Sequence, residues 1–255
     1  MMICEEHARA RAAWDRKPAL RAVYSDLYER ILRQLAPGSV LEVGGGGGRL
    51  KEFCPHAITC DIMLSPYVDL VADAQALPIR SSAIDNIVMV DVLHHIPVPR
   101  RFLSEVQRVL RPGGRLVMME PAITTASYLF YRLLHPEPFD LSVDPLDETP
   151  LSSDLPYDAN QAIPTLLVTR FRQKLATSFA GLELVAVEWL SLIAYPLSGG
   201  LRRWSLLSAR MTRTALTLED RVPQAVARHL AFRASIVIER RREYSMAEPA
   251  ENGSR

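Results

Sequence analysis

Val40-Leu41-Glu42-Val43-Gly44-Gly45-Gly46-Gly47-Gly48-Arg49-Leu50 is the stretch on which the reading of this 255-residue chain turns. Apolar residues of strand character run through an acid into five consecutive glycines, and then into a new helical start. In an open α/β sheet such a turn presents bare backbone N–H groups to a ligand at the carboxyl end of a strand. Glycine suits it because a Cβ would bar close approach and disfavour positive φ. A dinucleotide fingerprint counted from Gly44 needs a small residue at its sixth place, where Arg49 stands. What fits is acid-x-Gly-x-Gly-x-Gly, carried by Glu42, Gly44, Gly46 and Gly48, with Gly45 inside the run.

Working outward, Ala57 to Asp61 reads as a second strand ending in an acid. Asp61 lies 19 residues after Glu42, close to the spacing of about 20 at which a carboxylate meets ribose hydroxyls in nucleoside-binding sheets. The competing reading is a plain turn aspartate. A third strand, Tyr67 to Ala72, ends at Asp73 and Ala74. Only Ile62 to Pro66 separate these two strands, too few for a crossover helix of about ten residues or more, so a loop is expected there. Asp85 to Asp91 reads as the fourth strand, followed by Val92-Leu93-His94-His95-Ile96. Arg100 to Leu110 carries Phe102, Leu103, Val106, Val109 and Leu110 at helical spacing. Arg111-Pro112-Gly113-Gly114-Arg115 then turns into a fifth strand, Leu116 to Met119, that ends at Glu120.

The glycine loop, the run VLHHI from Val92 and the run VLRPGGRLVMMEP from Val109 together resemble the class I S-adenosylmethionine-dependent methyltransferases, of the methyltransferase type 11 or UbiE-like group. The resemblance covers Val40 to Pro121, nearly a third of the chain. It implies a Rossmann-like α/β fold: a seven-stranded, mostly parallel sheet with helices on both faces and an antiparallel C-terminal hairpin. It also implies S-adenosyl-L-methionine as cofactor, with S-adenosyl-L-homocysteine as product. The implied cofactor set is Glu42, Gly44, Gly45, Gly46 and Gly48 at the glycine loop, Asp61 and Ile62 at the ribose, and Asp73 and Ala74 at the adenine. Val90, Asp91, His95 and, from the N-terminal segment, Tyr24 complete it.

Residues from about Ala8 to Leu35 read as helical, with Ser25 as N-cap of the last part and Pro37-Gly38 as the stop. This gives an N-terminal helical lid over 1–36, a methyltransferase domain over 37–245 and a polar tail over 246–255. Insertions at about 122–160 and 191–229 would form an acceptor cap. The first opens with the aromatic run Ser127 to Leu134 and becomes acidic through Glu137, Asp140, Asp144, Asp147 and Glu148. Pro164 to Phe179 reads as one helix, and Leu182 to Leu190 with Phe232 to Glu239 as the closing hairpin. The second insertion carries Arg202, Arg203, Trp204, Arg210, Met211 and Arg213. Peripheral membrane contact through a 200–215 helix is one reading of it, and a packed helix with a solvated face is the other.

With 48% apolar residues, 23% charged residues and a net charge of +1, the chain lacks the basic footprint that nucleic acid demands. Cys4, Cys54 and Cys60 show no metal-ligand spacing, and no metal is expected. The N-terminus has no apolar signal core, and no apolar run approaches the roughly 20 residues of a membrane span. A cytoplasmic protein is expected, with its oligomeric state left open. Methyl transfer from a sulfonium needs alignment and exclusion of water, and a base only where the acceptor brings its proton. His94 and His135 are the candidate catalytic residues, each beside a segment expected to line the acceptor. The aromatic run suggests a small hydrophobic or lipid-linked acceptor, although the same side chains would also serve as core. A cofactor-binding partner protein without transfer activity, and an RNA or protein methyltransferase, are the alternatives. The absence of an Asn-Pro-Pro-Tyr type of run after the fourth strand weighs against the last of these.

Overall fold

Short apolar segments set between glycine- and proline-bearing turns pair into one seven-stranded sheet in the computed structural model, which describes residues 11–134, 139–150 and 159–242. The strands are β1 (Val40–Val43), β2 (Ile58–Asp61), β3 (Leu70–Val71), β4 (Ile84–Val90), β5 (Leu110–Pro121), β6 (Leu182–Leu190) and β7 (Arg233–Arg240). Their order is β3-β2-β1-β4-β5-β7-β6. The first five run parallel, and β7 lies antiparallel between β5 and β6. The order reverses between β1 and β4, so a crevice opens at their carboxyl ends. That crevice is where the glycine run stands.

Successive side chains of a strand face opposite ways, which divides the core in two. Leu41, Val43, Ile87, Met89, Leu116 and Met118 face the layer of α2 (Pro99–Val109), whose Phe102, Leu103, Val106 and Val109 are wholly buried. Val40, Val88, Val117 and Met119 face α1 (Pro18–Gln34), which contributes Leu20, Val23, Leu27 and Ile31. Each such large side chain contributes about 1.5–3 kcal/mol on burial, so the two helices are fixed by their apolar stripes. Further α-helices among the described residues are α3 (Thr125–Leu134), α4 (Ile163–Val168), α5 (Arg172–Ser178), α6 (Ala194–Ser198), α7 (Ala209–Glu219) and α8 (Gln224–Leu230), with 11–16 also helical ahead of α1. Among them α7 packs along α1 through Leu216.

Four local expectations are corrected. Ser25 is not a cap: the helix starts at Pro18, whose fixed φ suits the first helical position, and Ser25 sits in its second turn. The third strand shrinks to Leu70–Val71, because as a sheet edge it has only β2 to pair with. The helix read over Pro164 to Phe179 is two, broken where Thr169 leaves helical geometry (φ −112°, ψ −89°) and Phe171 N–H reaches back to the Leu166 carbonyl. The basic helix of the second insertion begins only at Ala209; 199–208 is a loop. No helix intervenes between β2 and β3, and the N-terminal ten residues, His135, Glu137 and the 246–255 tail lie outside the described residues.

Candidate active site

The loop after β1 is tied to the end of β2 through its own backbone. Gly44 and Gly45 N–H both donate to the Cys60 carbonyl, at 2.8 and 3.1 Å. Gly46 N–H donates to Asp61 Oδ2 at 2.9 Å, and Met63 N–H to Asp61 Oδ1 at the same distance. The Ser65 hydroxyl closes the ring by donating to the Gly46 carbonyl at 2.8 Å. Asp61 and the glycine run therefore form one buried unit, with Ile62 exposed beside it. Gly44 (φ +77°) and Gly48 (φ +63°) need their missing side chains: a Cβ would run into Val92 at the first and come within 2.6 Å of Tyr67 Cβ at the second.

Glu42 sits beneath this loop, 3% exposed, its Oε2 accepting from the Thr59 hydroxyl at 3.3 Å. Burial pushes its carboxyl up to about 7, against the pull of the Thr59 hydrogen bond and the Arg49 charge. Above the loop, the Arg49 guanidinium lies 5.8 Å from the Trp14 ring and 5.5 Å from the Tyr24 ring. Its Nε is buried without a hydrogen-bond partner. On the third-strand side, Asp73 Oδ1 accepts from the backbone N–H and side-chain amide of Gln75, and Gln75 Oε1 accepts from Val98 N–H at 3.1 Å. Ala74 packs half-buried against the core.

Across the crevice, Asp91 follows β4 with a left-handed φ of +59°. Arg233, from the first residue of β7, donates to it through both terminal nitrogens at 2.5 and 3.0 Å. The Tyr24 hydroxyl donates to Asp91 Oδ2 at 3.0 Å and accepts from Arg233 at 3.2 Å. Burial alone would raise the Asp91 pKa, but the Arg233 charge and hydrogen bonds outweigh it and hold the carboxyl below its ordinary value. The same burial, reinforced by the Asp91 charge, raises the Tyr24 hydroxyl well above its ordinary value. Half-buried Val90 precedes this cluster.

A second cluster lies under the turn that follows. Glu120, wholly buried at the end of β5, accepts from Val92 and Leu93 N–H through Oε1 at 2.9 and 2.8 Å. Its Oε2 lies 2.7 Å from His94 Nδ1, and the His95 ring centroid is 4.2 Å from that of His94. Asn160 N–H donates to the His94 carbonyl at 2.9 Å, docking the residues before α4 on this turn.

The methyltransferase domain family matches residues 41–118, the span that holds the glycine loop, Asp61, Asp73, Asp91 and His94. Residues 41–118 thus carry a methyltransferase domain. Among its relatives, a malonyl-[acyl-carrier protein] O-methyltransferase of Hahella chejuensis is 28% identical over 133 residues, 45% of this chain and 48% of the relative. A phthiotriol/phenolphthiotriol dimycocerosates methyltransferase of Mycobacterium tuberculosis is 48% identical over 109 residues, 35% of this chain and 40% of the relative. The chain spans less than half the length of these two curated relatives. A solved S-adenosylmethionine-dependent methyltransferase of Archaeoglobus fulgidus superposes with a TM-score of 0.52 at 16% identity, covering 86% of this chain and 94% of that one; it shares the fold.

The cofactor of such a domain is S-adenosylmethionine, and the donor set of this chain fits it. Asp61 fixes the glycine turn by accepting from the Gly46 and Met63 backbone N–H groups. The buried, unpartnered Nε of Arg49 beside the glycine loop is a donor suited to a ligand carboxylate. Of the sequence-predicted residues, Glu42, Gly44, Gly45, Gly46, Gly48 and Asp61 come together in one unit, and Tyr24 with Asp91 in another. Asp73 and Ala74 stand on the flank in a turn of their own. Arg233 was invisible in the sequence, because 142 residues separate it from Asp91 and no spacing rule joins them.

A cleft of about 660 Å³ lies elsewhere, between α1 and α7, among Pro18, Asp26, Arg213, Leu216 and Asp220. It contains none of these residues.

Proposed function

We propose that the chain is an S-adenosylmethionine-dependent methyltransferase acting on a small hydrophobic or lipid-linked acceptor. The observation that carries the reading is the single unit formed by Asp61 and the glycine loop. It sets a carboxylate beside a turn of glycines, which carry no side chains to bar a ligand's approach, at the switch point of the sheet. When bound, the cofactor supplies an electrophilic methyl group on a good leaving group. In this reading Asp61 receives the ribose hydroxyls with Ile62 beside it, Gly44, Gly45, Gly46 and Gly48 give the aminoacyl end close approach, and Glu42 supports the loop from below. Asp73 and Ala74 face the adenine, and Val90, Asp91, His95 and Tyr24 close the opposite wall.

Glu120 Oε2 lies 2.7 Å from His94 Nδ1, and where that nitrogen carries the proton Nε2 is the basic one. That is the arrangement of a general base for an acceptor hydroxyl. His135 stays a candidate from the sequence alone. The acceptor class is supported by relatives named for a malonyl-acyl-carrier protein and for phthiotriol lipids. It is also supported by α3, where Leu129 and Leu133 are exposed and Tyr131 is buried. The near-neutral charge argues against nucleic acid.

Calorimetry with S-adenosylhomocysteine, followed by assay of its release from S-adenosylmethionine against a panel of hydroxylated and lipid-linked acceptors, tests this. Binding that Asp61→Ala abolishes, together with turnover on one panel member, is the expected result. No heat with the wild-type chain would overturn it, and binding without turnover on any acceptor would favour the partner-protein alternative.

A further inference from the structure

Residues 201–206 form an exposed loop between α6 and α7, and it breaks the usual surface rules. Leu201 is 53% exposed, Trp204 43% and Leu206 68%, and the neighbouring Met211 on α7 is 54% exposed. Arg203 and Arg210 are exposed among them, with Arg202 and Arg213 alongside. The thirty residues between Glu188 and Glu219 hold these four arginines and no Asp, Glu or Lys.

The loop is held by the body of the protein. Lys17 Nζ donates to the Gly200 and Arg202 carbonyls at 2.6 and 2.8 Å, Leu206 N–H donates to the Leu197 carbonyl at 2.9 Å, and Gly199 and Gly200 take positive φ. These bonds fix the backbone and leave the apolar and basic side chains outside. Arg213 lines the cleft between α1 and α7 together with Asp26, Glu29 and Asp220, of which Asp26 and Asp220 bind Arg30, while Glu219 accepts from Ile193 and Ala194 N–H. The helical face of α7 meanwhile is spent on packing, with Thr212 and Leu216 buried against α1.

We propose that this loop and the first turn of α7 are a docking surface for an anionic membrane. Apolar side chains interleaved with arginines, without acids, match a surface that offers hydrocarbon just beneath negative headgroups. Lys17 immediately precedes α1 and is near Trp14, which covers Arg49 of the glycine loop, and Tyr195 of α6 lies over Arg233 at 4.3 Å. The loop is thus tied through Lys17 and α6 to elements that carry residues of the candidate active site. If the acceptor class under Proposed function holds, a hydrophobic acceptor reaches the site from the bilayer; the docking itself does not rest on that reading.

The test is sedimentation of the full chain, without cofactor, with vesicles of phosphatidylcholine alone and of phosphatidylcholine with phosphatidylglycerol in equal parts. Partition onto the anionic vesicles, weakened by salt, with a blue shift of emission that Trp204→Phe removes, is expected. At about 1 kcal/mol for each basic residue near such a surface, Arg203→Gln with Arg210→Gln lowers partition about thirtyfold. Leu201→Ser with Leu206→Ser also lowers it, at unchanged melting temperature.

Failure to bind either vesicle, or binding that both pairs of substitutions leave unaltered, overturns the proposal. So does lipid-free self-association that Leu201→Ser with Leu206→Ser abolishes, since the occupant would then be a second copy of the chain. Vesicle binding without any heat from S-adenosylhomocysteine would sink only the methyltransferase reading.

Discussion

Arg233, the first residue of β7, grips Asp91, just past the end of β4, through both of its terminal nitrogens, and the pair holds the Tyr24 hydroxyl of α1 between them. The arginine side chain is 3% exposed and the aspartate 28%. Asp91→Asn leaves the guanidinium charge buried without its partner. Breaking a buried pair costs about 3–5 kcal/mol, and the partial exposure of Asp91 reduces the expected loss to roughly 2–3 kcal/mol, read from urea unfolding. Because the folded pKa of Asp91 is lowered, its contribution is present above the unfolded value and lost as pH falls through the folded one. The gap between wild type and Asp91→Asn should therefore close on acidification, and a pH-independent gap would show that the charge is not what matters.

Glu42 gives the opposite pH signature. Its carboxyl is pushed up to about 7 by burial, so the folded state holds a proton that the unfolded state has released. Stability from this group is full below the unfolded pKa of about 4.5 and is lost as pH rises to about 7. At about 1.4 kcal/mol for each tenfold change in proton affinity, the loss is on the order of 3 kcal/mol. Glu42→Gln, which keeps an acceptor for Thr59, should be the more stable protein above neutrality and equal to wild type in mild acid. Parallel melting curves at all pH values would refute the assignment.

Gly48→Ala asks a left-handed turn to accept a Cβ within 2.6 Å of Tyr67 Cβ. Strain of this kind costs about 1–3 kcal/mol. If the loop holds the cofactor, S-adenosylhomocysteine affinity should fall at least as steeply as stability. Gly47→Ala is the control, since there a Cβ meets nothing closer than Arg49 at 3.7 Å.

Glu120 ties three groups together: Val92 N–H, Leu93 N–H and His94. His94→Asn should lower kcat by about 10²- to 10⁴-fold, the usual range for a general base, while S-adenosylhomocysteine affinity stays within a few-fold. Glu120→Gln should do both, reducing turnover and lowering the melting temperature. Unchanged turnover in His94→Asn would leave His94 a structural residue.

How much was legible beforehand differs from residue to residue. Glu42, the glycines and Asp61 were readable because positive φ, close approach and a fixed strand-to-strand distance all constrain local sequence. The mostly parallel sheet followed from the family resemblance that these turns carry, whereas its strand order came from the structure. The extent of β3 was not readable, since pairing at a sheet edge depends on what lies beside it. The break at Thr169 was hidden too, because the apolar spacing continues across it: Val168 and Leu175 are both buried despite the turn between them.

By itself the sequence determined the sheet, the glycine loop that β1 feeds and the acid waiting at the end of β2, because each is written in neighbouring residues obeying a backbone rule. Only the tertiary structure decided that Arg233 neutralises Asp91, that Glu120 holds His94, and that Lys17 pins the loop carrying Trp204 and Leu206. Those relationships join residues up to 185 positions apart. Charge and hydrogen bonding act through space, and chain separation carries no record of them until the elements have packed.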